Sequence, residues 1–334
     1  MKNKIITVLM IVALLASLIG CNAQGNSNLV GNSDDGVGKG KLKIVTTLFP
    51  QYDFVRQVAG DKVEVILLVP PGVEAHAYEP TPQDIVTIQK SDLFIYTGEV
   101  MEPWAHKIIE TVGTENIQVI EAASGIALVN EEHEEEHEHE EESESDDHDD
   151  HNHEGSDPHV WLDPIYAQQM VETIVDGLVK ASPENMELFK LNADTYKYEL
   201  QSLHEDFEQI FEHTKYDTIM SGGHFAFGHF IERYGLKYES PYNGFAPDAE
   251  PTPKRIAQLI ESIKASGIKA IYYEELVDPK VAKIVAEEAD AEMLMLHAAH
   301  NLSKEELNSG ITYIEIMRNN MESLKKGLVY EGGE

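Results

Sequence analysis

Between Pro183 and about His213 the chain has neither glycine nor proline after its first residue, and its apolar side chains fall at Phe189, Ala193, Tyr196, Leu200, Leu203, Phe207 and Ile210. Steps of 4, 3, 4, 3, 4 and 3 put all seven on one stripe of a single long helix. About 31 residues rising ~1.5 Å each make a rod of roughly 46 Å, long enough to run the length of a two-lobed molecule. The alternative, one arm of a coiled-coil dimer, calls for paired charges at the e and g positions, and the stripe lacks clear pairing there. The segment reads as a stiff strut.

The sequence alternates on both sides of the strut. Short β-rich or continuously apolar runs occupy Lys43–Phe49, Val63–Val69, Leu93–Tyr96 and Gln118–Glu121, with helical segments at Gln51–Ala59, after Thr81-Pro82, and at Trp104–Val112. The pattern returns with strands at Asp217–Met220, Leu236–Glu239, Ala270–Tyr273 and Glu292–Leu296. Helices fall between and after these at Ala226–Tyr234, Pro253–Ser266, Pro279–Glu288 and about Lys304–Lys326. Such alternation predicts an α/β fold of two lobes, each a mostly parallel four-stranded sheet flanked by helices, joined by the long rigid helix. Local chemistry marks six helix starts. Thr81, Asp163, Ser182, Thr252 and Asp278 each precede a proline, and Ser303 with Glu306 forms a capping box. The domains expected are an N-terminal lobe over 41–164, a helical linker over 165–214 that includes the strut, and a C-terminal lobe over 215–334.

The N-terminus carries Lys2 and Lys4, an apolar run from Ile5 to Ile19, and then Leu18-Ile19-Gly20-Cys21, which resembles a bacterial lipobox. Residues 1–20 are therefore expected to be a lipoprotein signal peptide, with Cys21 the lipidated first residue and 21–40 a flexible tether. About 15 apolar residues are short for a retained membrane span. Cys21 is the one cysteine in the chain, which excludes an intrachain disulfide and a cysteine-rich metal site.

Glu131–Glu154 has 15 carboxylates, six histidines, no lysine or arginine, and nothing apolar to bury. This composition predicts a solvated, disordered loop that raises the local cation concentration and offers imidazole to borderline metals. The formal net charge of −35 argues against nucleic acid and anionic membrane surfaces as partners. His133-Glu134-Glu135-Glu136-His137 formally matches H-E-x-x-H, but a low-complexity tract supplies no rigid helix to present both histidines on one face, so the protease reading is set aside.

Four histidines outside that tract share a context. His76 follows a strand through Pro-Pro-Gly-Val-Glu-Ala, His159 precedes the helix capped by Asp163, His224 follows Ser221-Gly222-Gly223, and His300 follows the Glu292–Leu296 strand. Three of them lie just past the carboxyl end of a strand, where open α/β sheets bind ligands, and each lobe supplies two. A metal site in the cleft between the lobes would use all four. His106, His204, His213 and His229 lie on predicted helices and read as surface or packing residues, while His297 competes with His300 for the same role.

The stretches GVEAHAYEPTPQDI, DPHVWLDP, GGHFAFGHFIERYGL and PDAEPTPKRI make the chain, from about Lys43 onward, resemble the solute-binding lipoproteins of metal-ion ABC transporters, in their zinc-uptake branch. The resemblance implies two α/β lobes on a rigid helix with metal in the cleft, an acidic His-rich loop, and three histidine ligands matching His76, His159 and His224. At the fourth position many relatives carry a carboxylate where this chain has Leu296-His297-Ala298-Ala299-His300. That leaves His300, His297, Glu275 or water as the fourth ligand. Imidazole-rich sites suit tetrahedral zinc, whereas manganese prefers more carboxylate oxygen. The function implied is a non-enzymatic receptor, lipid-anchored outside the cytoplasm and expected as a monomer, that captures Zn2+ and delivers it to an ABC permease. Alternatives are manganese or another divalent cargo, a surface adhesin with structural zinc, and a zinc hydrolase, which would need an open coordination position and a general base.

Overall fold

In the first lobe Leu42–Thr46 (β1) runs between Val63–Leu67 (β2) and Leu93–Tyr96 (β3), and Gln118–Glu121 (β4) pairs with β3, giving an all-parallel order β2-β1-β3-β4. Ile44 lies opposite both Val65 and Leu93, and all four residues of β3 are buried. A parallel strand covered on both faces reads as a continuous apolar run for this reason. Helices Phe49–Ala59 (α1), Pro82–Gln89 (α2), Pro103–Val112 (α3) and Pro164–Ala181 (α4) flank the sheet. Gly177 lets α4 approach β4 closely, since a Cβ there would sit 2.0 Å from Ile120 Cδ1. A short antiparallel pair, Val129–Asn130 (β5) with Ser156–Asp157 (β6), leads into the His159 segment.

This computed structural model describes residues 40–112, 117–130, 155–242 and 251–332, and Lys41–Glu334 folds as one compact unit. The expected signal peptide, Cys21 and the acidic tract 131–154 lie outside the described residues. Among the described residues no helix is long and apolar enough to cross a membrane.

The strut is Met186–Phe211 (α5), 26 residues preceded by a 3-10 turn over Pro183–Asn185. Its buried residues are the seven of the predicted stripe. At ~1.5 Å per residue it is about 39 Å long, shorter than the sequence alone suggests because the first turn is wound differently. In the second lobe Thr218–Met220 (β7) pairs with Lys237–Glu239 (β8), and Ala270–Tyr273 (β9) with Glu292–Met295 (β10), both in parallel. A single parallel bridge between Ser221 and Tyr272 joins the two pairs. Helices Gly228–Tyr234 (α6), Pro253–Ser266 (α7), Lys280–Ala289 (α8), Lys304–Ser309 (α9) and Tyr313–Gly327 (α10) complete the lobe.

Three local expectations are corrected. The final helix is two helices: Gly310 ends α9 at φ 77°, and Thr312 with Glu315 forms a new capping box for α10. Asp278 pairs with Lys283 at 2.9 Å instead of capping, and α8 begins after Pro279. Ser182 makes no side-chain cap, because the turn at Pro183 is 3-10. Thr81, Asp163, Thr252 and Ser303 do accept the N–H groups that a cap requires.

One hydrophobic core runs from the first sheet through α4 and α5 into α10 and the 294–302 segment, and a smaller one packs Met220, Leu259, Ile263, Ile271 and Val285 in the second lobe. The lobes are also tied by polar contacts. Tyr313 N–H donates to buried Asp53 (3.0 Å), Arg233 pairs with Asp163 (2.7 Å), and Trp161 Nε1–H donates to the Ala298 carbonyl (2.8 Å).

Candidate metal centre

Each of the four predicted histidines is delivered by a loop whose own hydrogen bonds fix it. His76 rides on the segment between β2 and α2. Glu74 accepts the N–H groups of His76 (2.8 Å) and Ala77 (2.7 Å), and Asn301 Nδ2 donates to the carbonyls of Pro70 (2.7 Å) and Val73 (2.9 Å). His159 is fully buried two residues past β6, where Asp157 Oδ1 accepts its backbone N–H (2.9 Å) and faces its Nδ1 at 2.5 Å. His224 follows β7 through Gly222, which must be glycine for packing: a Cβ there would meet the Ala282 Cβ at 2.6 Å. Glu274 Oε2 lies 3.3 Å from His224 Nδ1. His300 follows Ala299, which has φ 56°, and Glu275 Oε1 lies 3.3 Å from both its N and its Nδ1.

Nδ1 of His159, His224 and His300 faces a carboxylate, and His76, His159 and His300 converge through Nε2. His76 Nε2 is 3.1 Å from His159 Nε2 and 3.2 Å from His300 Nε2, and one ligand atom from each of the three lies within 4.8 Å of the others. The His224 ring stands beside this trio, its centroid 5.2 Å from that of His76, 5.1 Å from His159 and 6.2 Å from His300. Separations this short make two imidazolium charges costly. Burial, and then the facing His300 and His224, push His76 down to about 2, and burial pushes His159 well below its ordinary value. His76 and His159 are thus kept in the neutral form that binds a metal, and a carboxylate faces the outer nitrogen of three of the four rings.

The surroundings separate the remaining candidates. His297 points away from the trio: its Nδ1 accepts the Ala299 N–H at 2.9 Å and its Nε2 lies 3.5 Å from Glu306. Glu275 sits behind His300, accepting from Ala298 N–H at 2.7 Å. Burial raises its carboxyl, but His297 and the bonds from His300 and Ala298 outweigh that and hold it near 2. His106 lies at the surface of α3, His213 is exposed in the turn that follows α5 rather than on a helix, and His204 packs on Tyr234. His229, read from sequence as a packing residue, is buried and bound to Asp157: its Nε2 meets the Asp157 carbonyl at 2.8 Å and its N–H meets Oδ2 at 3.2 Å. No local pattern could have revealed this, because the partner lies 72 residues away. Burial pushes the Asp157 carboxyl up to about 6 against these bonds. A cavity of about 560 Å³, with His76 and His224 on its wall beside Glu74, Glu274 and Tyr273, opens between the lobes.

Residues 44–327 match the family described as ZnuA, zinc-uptake complex component A, periplasmic. The chain belongs to this family. It is 40% identical over 311 residues, 92% of this chain and 93% of the relative, to the high-affinity zinc uptake system protein ZnuA of Bacillus subtilis. It is 37% identical over 306 residues to the zinc-binding lipoprotein AdcA of Streptococcus pneumoniae, covering 91% of this chain but 59% of that longer protein. The crystal structure of the Zn(II)-bound ZnuA-like domain of that AdcA superposes with a TM-score of 0.71 at 34% identity, covering 86% of this chain and 99% of the domain. The two-lobed α/β architecture is therefore that of the ZnuA-like proteins, a family of solute-binding receptors rather than enzymes.

Proposed function

We propose that this chain is an extracytoplasmic receptor that captures Zn2+ and hands it to the permease of an ABC importer. The observation that carries the reading is the convergence of His76, His159 and His300 through Nε2, with His224 beside them and carboxylates behind three of the four rings. Four imidazoles would give the donor set that suits tetrahedral zinc and is poor for manganese. A site closed by four protein ligands leaves no position for a reacting water, in keeping with carriage rather than hydrolysis. His300 takes the fourth place, since His297 faces Glu306 and Glu275 serves His300 from behind.

The finer assignments follow from sequence. Residues 1–20 act as a signal peptide, Cys21 carries the lipid that holds the protein at the outer face of the membrane, and the acidic tract 131–154 gathers metal at lower affinity. Deleting 131–154 without change in tight zinc stoichiometry or uptake would remove the tract from the mechanism. The deciding experiment is metal content and competitive affinity of the mature domain lacking 131–154, wild type beside His300→Ala. One tight zinc per chain, weakened in the variant, is expected. Tight manganese with weak zinc would overturn the cargo, and unchanged affinity would remove His300 from the site.

A further inference from the structure

The four histidines are not equivalent, and the difference lies behind them. Asp157 faces Nδ1 of His159, Glu274 that of His224 and Glu275 that of His300, at 2.5, 3.3 and 3.3 Å. His76 has no such partner among the described residues: the contacts of its ring nitrogens there are those of Nε2 with the imidazoles of His159 and His300. A carboxylate on the outer nitrogen fixes the ring and raises its basicity toward a metal. His76 is also the one of the four that is only partly buried, and its ring, like that of His224, is on the wall of the cleft cavity. Its loop contains no helix or strand from the end of β2 to Pro82.

The geometry points to His76 as the exchange ligand: zinc enters and leaves through the cleft cavity by making the bond to His76 last and breaking it first, while the three carboxylate-backed histidines hold the ion. This rests on the receptor reading above and adds an order to it. Detachment of His76 opens one coordination position toward the cavity, where an incoming donor atom can replace it without the lobes separating. In this exchange the metal–Nε2 bond to His76 breaks and a bond from the metal to the incoming donor atom forms, with no change of oxidation state and no proton supplied.

The test uses the full mature chain, with free zinc buffered so low that only the tightest site fills. Zinc affinity is measured for His76→Ala, His224→Ala and His300→Ala, and the rate of zinc transfer to a small chelator is followed against chelator concentration. Because an outer carboxylate is worth ~10–100-fold in affinity, His76→Ala is expected to lose about 10–100-fold less than His224→Ala or His300→Ala. In a Glu274→Gln background, His224→Ala should cost no more than His76→Ala does, since both rings then lack a carboxylate. Transfer from the wild type should speed up in proportion to chelator concentration. Equal or larger loss in His76→Ala, or a transfer rate that His76→Ala leaves unchanged, overturns the order while leaving the receptor intact. A wild-type chain without tight zinc would instead sink the receptor reading itself.

Discussion

In the first lobe β1 pairs along five residues with β2 and along three with β3, whereas among the described residues the two strand pairs of the second lobe are joined in the sheet only at the bridge from Ser221 to Tyr272. The thin seam lies immediately before Gly222-Gly223-His224. His300 follows a second-lobe strand, yet the first lobe holds its segment: Phe49 N–H donates to the His300 carbonyl (3.1 Å), and Gly72 N–H to that of Leu302 (2.7 Å). Glu275 grips the same segment from the second-lobe side. Three histidines therefore rest on the continuous sheet and its attachments, and His224 alone comes from the weakly seamed side. The two lobes share a topology but differ in how rigidly they present a ligand.

The largest effect that separates the two sides is expected from His159→Ala. Both the histidine and its Asp157 partner are wholly buried, so the variant takes the side-chain partner from a carboxylate that water cannot reach and leaves it only the backbone N–H groups of His159 and His229, at a cost of about 3 kcal/mol in apo stability beside the loss of tight zinc. His224→Ala should also lose tight zinc but leave apo stability nearly unchanged, because the Glu274 side chain is 17% exposed and can be resolvated. Thermal unfolding of both apo variants checks this, and equal destabilisation would erase the contrast between the lobes. Next in size is Asn301→Ala, which removes two hydrogen bonds to the His76 loop. A loss of about 1–3 kcal/mol is expected by denaturant titration, and no loss would mean that the core alone holds the loop.

A smaller and more selective effect is expected from Glu275→Gln and Glu274→Gln. Each should weaken zinc ~10–100-fold, with the buried Glu275 at the upper end because it also accepts the backbone N–H groups of Ala298 and His300. Competition titration of the two side by side measures the difference, and a larger loss in Glu274→Gln would place the stiffer histidine in the second lobe.

Much of this arrangement was legible in the sequence, for identifiable reasons. The 4-3 spacing of the strut predicts its buried face residue by residue, because a helix with one apolar stripe has one way to bury it. The strand positions follow from continuous apolar runs, and the loop positions of the four histidines follow from where those runs end. The break between α9 and α10 was written at Gly310 and Thr312 but was masked by helical periodicity on either side. What local sequence could not carry is pairing at a distance. Asp157 with His229, Glu275 with His300 and Asp53 with Tyr313 join residues 25 to 260 apart, and nothing near either member announces its partner. The distinction between His297 and His300 turns on such a pairing, that of Glu275 with His300.

The smallest effect concerns pH and again separates buried from reachable groups. His76 is pushed down to about 2 and His159 well below its ordinary value, chiefly by burial, so in acid the unfolded chain binds protons that the folded chain refuses. Their contribution to stability is complete above about pH 6.5 and is lost progressively as pH falls below it. Asp157, pushed up to about 6 by burial, acts in the opposite sense: the folded chain takes its proton first, which favours folding as pH falls from about 6 toward 3.8. Between pH 7 and 6 the histidines dominate, and apo stability should drop by less than about 1 kcal/mol. Zinc holds the rings neutral, so the loaded protein should show a steeper loss over the same interval as protons compete with the metal. Melting of apo and loaded protein from pH 7.5 to 5.5 measures both slopes. His76→Ala should flatten the apo slope by one proton's worth, since removing that ring removes a proton-binding group from the unfolded state alone. A slope unchanged in that variant would mean that His76 is solvated in the apo protein, and the contrast between a reachable His76 and its three buried neighbours would then be larger than the distances alone imply.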